Sequence, residues 1–264
     1  MKNINIGGLH LNVVDQGAGQ PLLLIHGFPL DHTMWQFQIE DLSRDFRIIA
    51  PDLRGFGASE LNDAPLSMAH FADDLDHLLS ALEVDLPVTV CGLSMGGYVA
   101  WEFWRRHPQR LSRLILCDTR AAADDSDTQT TRRTAAERVL RDGPEFLAKM
   151  MVPKLFAQET LEQSPVLVEA TRQLLLNTSP VTIAAALNGM AEREDATAWL
   201  SEIHIPTLLL CGVSDSITPV AEMQQIAATL PNSQYATIPQ AGHMAPLENP
   251  QVCNRELRNF LKAC

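Results

Sequence analysis

The chain has 264 residues, of which 46% are hydrophobic and 20% are charged, as expected for a globular protein with one large core. This composition excludes intrinsic disorder, collagen and a simple coiled coil. The 20 Lys and Arg residues against 32 Asp and Glu residues give a net charge of −12, which argues against nucleic-acid and membrane-surface partners.

The first half of the chain predicts strands and helices in alternation. Residues 4–6 and 9–13 are separated by two glycines and predict a β-hairpin. Residues 67–82 repeat apolar side chains every 3.6 positions after Ser67, a suitable N-cap, and predict an amphipathic helix. Continuous apolar runs are typical of parallel strands buried on both faces, and they cover residues 22–25, 47–50, 87–91 and 114–117.

The second half contains the same kinds of element. A helical pattern covers residues 95–106, and strand-like runs return at 207–211 and 235–238. Thr218-Pro219 and Asn249-Pro250 each predict a helix start, with an N-cap followed by proline at the first helical position. The alternation predicts a doubly wound α/β fold with a mostly parallel sheet and helices on both faces.

The alternation is interrupted once. Between residues 119 and 200 the sequence is helix-rich and has few β-branched runs. We interpret this stretch as a helical cap inserted between two strands of one sheet, because strand-like sequence lies on both sides of it. The core is then expected to comprise residues 1–118 and 201–264.

The strongest chemical motif is the G-x-S-x-G sequence at residues 92–96, which joins a predicted strand to a predicted helix. A serine on such a tight turn has a strained backbone, and the helix N-terminus directs N–H groups at the space beside its hydroxyl. Gly92 and Gly96 lack side chains where strand and helix approach closely. We predict Ser94 as a nucleophile; a glycine-rich turn with a surface serine is the alternative.

A serine hydroxyl needs a base that accepts its proton, and the base needs an acid that holds its tautomer. Of the eight histidines we favour His243, which lies in a turn after a predicted strand, where catalytic residues commonly lie. A buried structural histidine is the alternative. As the acid we prefer Asp215 to Asp118, although both follow strands, because Asp215 precedes His243 on the adjacent strand–helix unit.

A tetrahedral intermediate needs two N–H donors for its oxyanion. The first predicted donor is the backbone N–H of Met95, directly after the nucleophile. The second is the backbone N–H of Phe28, in the sharp turn His26-Gly27-Phe28-Pro29 after a predicted strand. We expect His26 to brace this loop. No H-E-x-x-H motif occurs in the sequence, so no metal site is predicted.

Four segments carry a resemblance to a known family: HGFP (26–29), DLRGFGAS (52–59), GLSMGG (92–97) and AGH (241–243). The sequence resembles the α/β-hydrolases, in particular 3-oxoadipate enol-lactonase-like proteins and small carboxylesterases, over nearly the whole chain outside the cap. The order of nucleophile, acid and histidine is also that of the family. The resemblance implies an eight-stranded sheet, a Ser-His-Asp triad without a cofactor, and loop-bracing roles for Asp52 and Arg54.

The resemblance also implies a reaction, the hydrolysis of a small carboxylic ester or lactone through an acyl-enzyme on Ser94. Haloalkane dehalogenases and epoxide hydrolases are excluded, because they use an aspartate at the nucleophile position. Two alternatives stay open. One is perhydrolase (cofactor-free haloperoxidase) or C–C bond hydrolase chemistry on the same residues, and the other is a ligand receptor with vestigial hydrolysis.

Apolar side chains from the loops and the cap are expected to form the substrate pocket. Arg120, at the entrance to the cap, is a candidate for binding a substrate carboxylate, and a solvated surface arginine is the alternative. The candidate pocket residues are Phe28, Trp35, Met95, Phe146, Met150, Met151, Val220 and Met244.

The remaining sequence features concern the cell compartment. The N-terminus lacks the apolar core of a signal peptide, and no apolar run reaches the 18 residues of a membrane span. The five cysteines form no CxxC pair, and Cys91, Cys117 and Cys211 end predicted strands, so buried thiols are predicted rather than disulfides. We expect a cytoplasmic protein without nucleic-acid or membrane partners. The sequence leaves the oligomeric state open.

Overall fold

One sheet organises the fold. The computed structural model describes residues 1–63 and 65–263, and over these residues the sheet has eight strands. The strands are β1 (Lys2–Asn5), β2 (His10–Gln16), β3 (Pro21–Ile25), β4 (Arg47–Pro51), β5 (Val88–Leu93), β6 (Leu111–Cys117), β7 (Thr207–Gly212) and β8 (Ser233–Ile238). Their order is β1-β2-β4-β3-β5-β6-β7-β8, and the β1–β2 and β2–β4 pairs are antiparallel whereas the others are parallel. The predicted mostly parallel sheet is confirmed.

Helices connect most of the strands. They are α1 (Gln36–Leu42), α2 (Met68–Ala81), α3 (Met95–Arg106), α4 (Ser126–Asp142), α5 (Glu145–Leu155), α6 (Gln158–Gln163), α7 (Pro165–Asn177), α8 (Pro180–Ala191), α9 (Val220–Thr229), α10 (Ala245–Glu248) and α11 (Pro250–Lys262). Ser67 caps α2 and Asn249 caps α11, as predicted. The predicted start at Thr218 is wrong: α9 begins at Val220 with Pro219 as its N-cap, because the Thr218 hydroxyl bonds Asp215 instead.

Side chains alternate along the central strands and build a core on each face of the sheet. On β3, Leu23 and Ile25 point to the side covered by α2, α3 and α9, which we call the α3 face. Leu22 and Leu24 point to the side covered by α1 and α11, which we call the α11 face. Strands buried on both faces explain the continuous apolar runs of the sequence.

Helices α4 to α8 lie in the chain between β6 and β7, within the stretch for which we predicted a cap. Helix α4 packs against α8, and α5 packs against α7. Two threonines attach this insertion to loops that follow strands: Thr178 Oγ1 donates to Pro29 O at 3.0 Å, and Thr182 Oγ1 donates to Gly55 O at 2.9 Å. The inserted helices therefore lie over the carboxyl edge of the parallel strands.

Two further predictions concern membranes and cysteines. Among the described residues no single helix is long and apolar enough to span a membrane; only α7 and α8 together reach that length and hydropathy, across a bend of 93°. Cys91, Cys117, Cys211 and Cys253 are buried free thiols, as predicted for the first three, and Cys264 lies outside the described residues.

Candidate active site

Ser94 occupies the turn between β5 and α3. Its backbone has φ 54° and ψ −114°, a left-handed conformation that is strained for any residue with a Cβ. Two hydrogen bonds to the end of β6 hold the turn: Ser94 N donates to Cys117 O at 3.0 Å, and Thr119 Oγ1 donates to Ser94 O at 2.8 Å. The strain is thus maintained by the neighbouring strand, and Ser94 remains partly exposed.

The two glycines of the motif permit close approach of three elements. A Cβ on Gly92 would overlap Gly96 O, at the start of α3, and a Cβ on Gly96 would overlap Ile25 O, at the end of β3. Backbone oxygens cannot move aside as flexible side chains do. Glycine is therefore required at both positions, for the reason given from the sequence.

The loop that follows β3 lies directly against Ser94. A Cβ on Gly27 would be 3.6 Å from Ser94 Cβ, and Leu30 N donates to Gly27 O at 3.0 Å to close a turn around Phe28. Met95 begins α3, where the first N–H groups have no acceptor within the helix. The structure therefore brings the chain segments of both predicted oxyanion donors, Phe28 and Met95, beside Ser94.

His26 and Arg54 brace this loop region. His26 Nε2 accepts a hydrogen bond from Leu53 N at 2.9 Å, and its Nδ1 lies 3.0 Å from Gly27 O, so the ring is neutral with its proton on Nδ1. Burial lowers the pKa of His26, which favours the same neutral form. Arg54 Nε donates to Asp74 at 2.8 Å. His26 thus bonds the backbone of two loop residues, and Arg54 joins its own loop to the Asp74 side chain on α2.

Asp52 joins three chain segments through its carboxylate. It accepts hydrogen bonds from the His32 N–H at 2.9 Å, from the Asn12 amide at 2.8 Å and from the Ala58 N–H at 3.0 Å. Although burial acts to raise the pKa of Asp52, these hydrogen bonds and one from the His32 ring outweigh it and lower the pKa to about 2. The loop-bracing role implied by the resemblance is present.

Asp52→Asn tests this brace through the pH dependence of stability. Because the pKa of Asp52 falls on folding, its charge stabilises the folded state above pH 4, and this contribution is lost as pH falls toward 2. We expect the difference in unfolding free energy between wild type and variant to be about 1 kcal/mol smaller at pH 3 than at pH 7. Urea titrations at the two pH values measure it. A difference independent of pH would contradict the account.

His243 and Asp215 form a buried pair at the ends of β8 and β7. His243 Nδ1 lies 2.8 Å from Asp215 Oδ2, and both side chains are almost fully buried. Although burial acts to raise the pKa of Asp215, hydrogen bonds from His243 and Thr218 outweigh it and hold the pKa below its usual value. The charged carboxylate can only accept, so Nδ1 carries the proton and Nε2 is left as the basic nitrogen.

The predicted hydrogen bond between the Ser94 hydroxyl and the His243 ring is not formed. Among the residues that the structure describes, Ser94 Oγ makes no hydrogen bond to the His243 ring. In resting enzymes such bonds are often long, and they shorten when substrate binds. The Asp215–His243 pair is therefore present, whereas the Ser94–His243 contact stays a prediction.

Asp118, the alternative acid, lies behind this pair. It is fully buried at the end of β6, its Oδ1 accepts a hydrogen bond from Gly212 N at 2.7 Å, and its Oδ2 has no partner among the described residues. Burial, and next the negative charge of Asp215, raise the pKa of Asp118 well above its usual value. Burial therefore disfavours a negative charge on Asp118, whereas Asp215 keeps its charged form beside His243.

Asp118→Asn is expected to retain kcat, because asparagine keeps the oxygen that accepts from Gly212. Its unfolding free energy relative to wild type should also increase as pH rises above about 4. The reason is that burial raises the pKa of wild-type Asp118 in the folded protein, so the unfolded chain ionises at lower pH and folding is penalised more as pH rises. Urea unfolding and steady-state kinetics measure both effects. Loss of kcat by orders of magnitude would make Asp118 the triad acid.

Most of the candidate pocket residues are buried or partly buried. Phe28 is 7% exposed and meets Phe56 edge to face. Met151 packs against the cores of both the α3 face and the α11 face, so it lies where the two faces meet. Fully buried candidates are Trp35, Met95 and Met244. Partly buried candidates are Phe146, Met151 and Val220.

Two candidate pocket residues require correction. Met150 is 51% exposed, because it lies on α5 opposite the side chains that this helix buries. Arg120 does not offer a free cation: its Nη2 donates to Ile217 O at 2.6 Å and lies 3.3 Å from Glu222 Oε2. Neither residue is retained in the candidate pocket.

Sequence reasoning missed two threonines of the site. Thr218 N and Oγ1 both donate to the Asp215 carboxylate, and Thr119 Oγ1 holds the peptide of Ser94. Thr218 precedes a proline and therefore has the pattern of an ordinary N-cap. Thr119 only ends a strand-like run, so no local signal indicated its contact.

Comparison with known proteins gives the chain its family. The family model of the alpha/beta hydrolase fold matches residues 20–250. A solved thermophilic esterase from Thermogutta terrifontis is 45% identical, with a TM-score of 0.95 over 98% of this chain and 96% of its own. A solved bromoperoxidase from Bacillus anthracis is 26% identical, with a TM-score of 0.87 over 99% of each chain. The curated 3-oxoadipate enol-lactonase 2 of Acinetobacter baylyi is 28% identical over 93% of this chain and 90% of its own. The chain therefore belongs to the alpha/beta hydrolase family.

Proposed function

We propose that the protein is a serine hydrolase that cleaves a small carboxylic ester or lactone without a cofactor. Ser94 is the nucleophile, His243 the general base, and Asp215 the acid that orients it. The observation that carries the proposal is the strained Ser94 at a strand-to-helix turn, together with a buried, hydrogen-bonded Asp215–His243 pair at the same edge of the sheet. The esterase and enol-lactonase relatives support the same class of substrate.

The reaction proceeds in two halves. Ser94 Oγ attacks the carbonyl carbon while its proton passes to His243 Nε2, and the N–H groups of Phe28 and Met95 stabilise the oxyanion. His243 then protonates the leaving oxygen as its bond to the acyl carbon breaks, which leaves an ester on Ser94. Water, giving its proton to His243, attacks this ester, releases the acid and restores the serine hydroxyl.

The inserted helices α4 to α8 are proposed to act as the cap of the site. They are attached to the loop of Phe28 through Thr178, which bonds Pro29. The partly buried Phe146 and Met151 of α5 then provide apolar walls, together with Val220 and Met244 from the core. With Arg120 occupied by Ile217 and Glu222, we propose that the substrates are uncharged near the acyl group.

Perhydrolysis is the second candidate, and the similarity to a bromoperoxidase favours it. In that reaction hydrogen peroxide replaces water in the second half and releases a peracid. Measuring ester hydrolysis and bromide oxidation, the latter in acetate with peroxide, distinguishes the two activities in one preparation.

A panel of p-nitrophenyl esters and lactones of graded chain length tests the proposed function. We expect turnover of short acyl chains and stoichiometric labelling by a fluorophosphonate that competes with substrate. If neither turnover nor labelling is observed and an ester or lactone raises the melting temperature strongly, the protein is a ligand receptor and the proposed enzymatic function is wrong.

A further inference from the structure

Glu248, at the end of α10, accepts four hydrogen bonds with its two carboxylate oxygens. Oε1 accepts from the N–H groups of Gly242 at 2.8 Å and Met244 at 3.2 Å. Oε2 accepts from Ala157 N at 2.7 Å and Thr160 Oγ1 at 2.7 Å. One side chain thus connects two segments that lie far apart in the sequence.

The first pair of bonds fixes the histidine loop. Gly242 and Met244 are the residues on either side of His243, so Oε1 holds the N–H groups of both residues that flank it. Met244 N also donates to Leu155 O at 3.0 Å, at the end of α5. Glu248 and Leu155 O together hold the backbone from which the imidazole projects, and Asp215 holds the ring.

The second pair of bonds reaches the inserted helices. Ala157 is the N-cap residue of α6 and makes no side-chain capping bond of its own, and Thr160 lies in the first turn of that helix. Oε2 accepts from both and so supplies the acceptor at the α6 N-terminus. One carboxylate therefore joins α6 to the histidine loop.

We propose that Glu248 is a positioning residue that holds His243 in its reactive orientation and couples it to the helices over the site. This inference rests on the proposed function where it is tested by enzyme kinetics. The NMR test of the His243 ring does not depend on that function. A carboxylate is required because all four partners are donors. Glutamine places an amide donor against one pair of them.

Glu248→Gln is expected to lower kcat by about 100-fold with little change in KM, since a small misplacement of a catalytic group has that effect. The hydrogen-bonded Nδ1 proton of His243, observed by NMR at low field, should shift or broaden. Glu159→Gln is the matched control, because Glu159 is a neighbouring acid whose side-chain hydrogen bonds within the described residues are long ones from Gln240, at 3.4 and 3.5 Å. This control should leave both kcat and the proton signal unchanged.

Thr160→Val separates the effects of the two pairs of hydrogen bonds, because it removes one bond to Oε2 and leaves both bonds to Oε1. It is expected to raise KM more than it lowers kcat. Wild-type kcat and an unshifted proton signal in Glu248→Gln would overturn the inference, as would a Thr160→Val variant that reproduces the full loss of kcat.

If Glu248→Gln does not fold, Glu248→Asp replaces it with the same expected pattern. A wild-type enzyme without turnover refutes the proposed function, while the proton signal still tests Glu248.

Discussion

Ser94→Ala is expected to lower kcat for p-nitrophenyl acetate by about four to six orders of magnitude. Alanine removes the Oγ that forms the acyl-enzyme but leaves the Asp215–His243 pair and the oxyanion donors in place. The unfolding free energy should change little, because alanine meets the same positive φ at position 94. Steady-state kinetics with a mass-spectrometric search for the acyl-enzyme measure the effect.

A matched serine variant makes the result specific. Ser201 is exposed and lies far along the chain from the motif, so Ser201→Ala should retain wild-type kinetics. If Ser94→Ala retained near-wild-type turnover, the nucleophile would have to be sought elsewhere and the proposed mechanism would be wrong.

Asp215→Asn is expected to lower kcat by about 10⁴-fold. Asparagine has nearly the same shape, but its amide cannot stabilise an imidazolium and allows the tautomer with the proton on Nε2, which is not a base toward Ser94. The bonds from Ile217 N at 2.7 Å and Thr218 N at 3.0 Å should still hold the loop, so the loss is chemical rather than structural. Steady-state kinetics with urea unfolding separate the two effects.

The comparison with Asp118→Asn makes this assignment discriminating. Both aspartates follow strands and both are buried, yet only Asp215 bonds His243. A large loss in Asp215→Asn with retained kcat in Asp118→Asn is the expected pattern. The reverse pattern would transfer the role of triad acid to Asp118.

Sequence reasoning succeeded where the pattern is local. The helix predicted over 95–106 is α3 with the same bounds, and the sheet follows from apolar runs that are buried on both faces. The strain at Ser94 was also predictable, because the spacing of Gly92 and Gly96 is meaningful only at a tight turn between strand and helix.

It failed where an assignment depends on what meets a side chain in space. Met150 and Met151 are adjacent and chemically identical, yet only Met151 faces the core, and the register of α5 decided this. Arg120 acquires its partners from the segment that begins α9, about one hundred residues later. Glu248 has no motif of its own, because two of its four donors come from a segment about ninety residues away.

The central claim is that the Ser94 hydroxyl is activated by His243 and faces the N–H groups of Phe28 and Met95. A crystal structure of the protein after reaction with a fluorophosphonate tests all three contacts at once. We predict phosphorus bonded to Ser94 Oγ, a phosphoryl oxygen within about 3 Å of both N–H groups, and His243 Nε2 within hydrogen-bond reach of the adduct. An adduct on another residue, or an imidazole turned away from the phosphorus, would contradict the account.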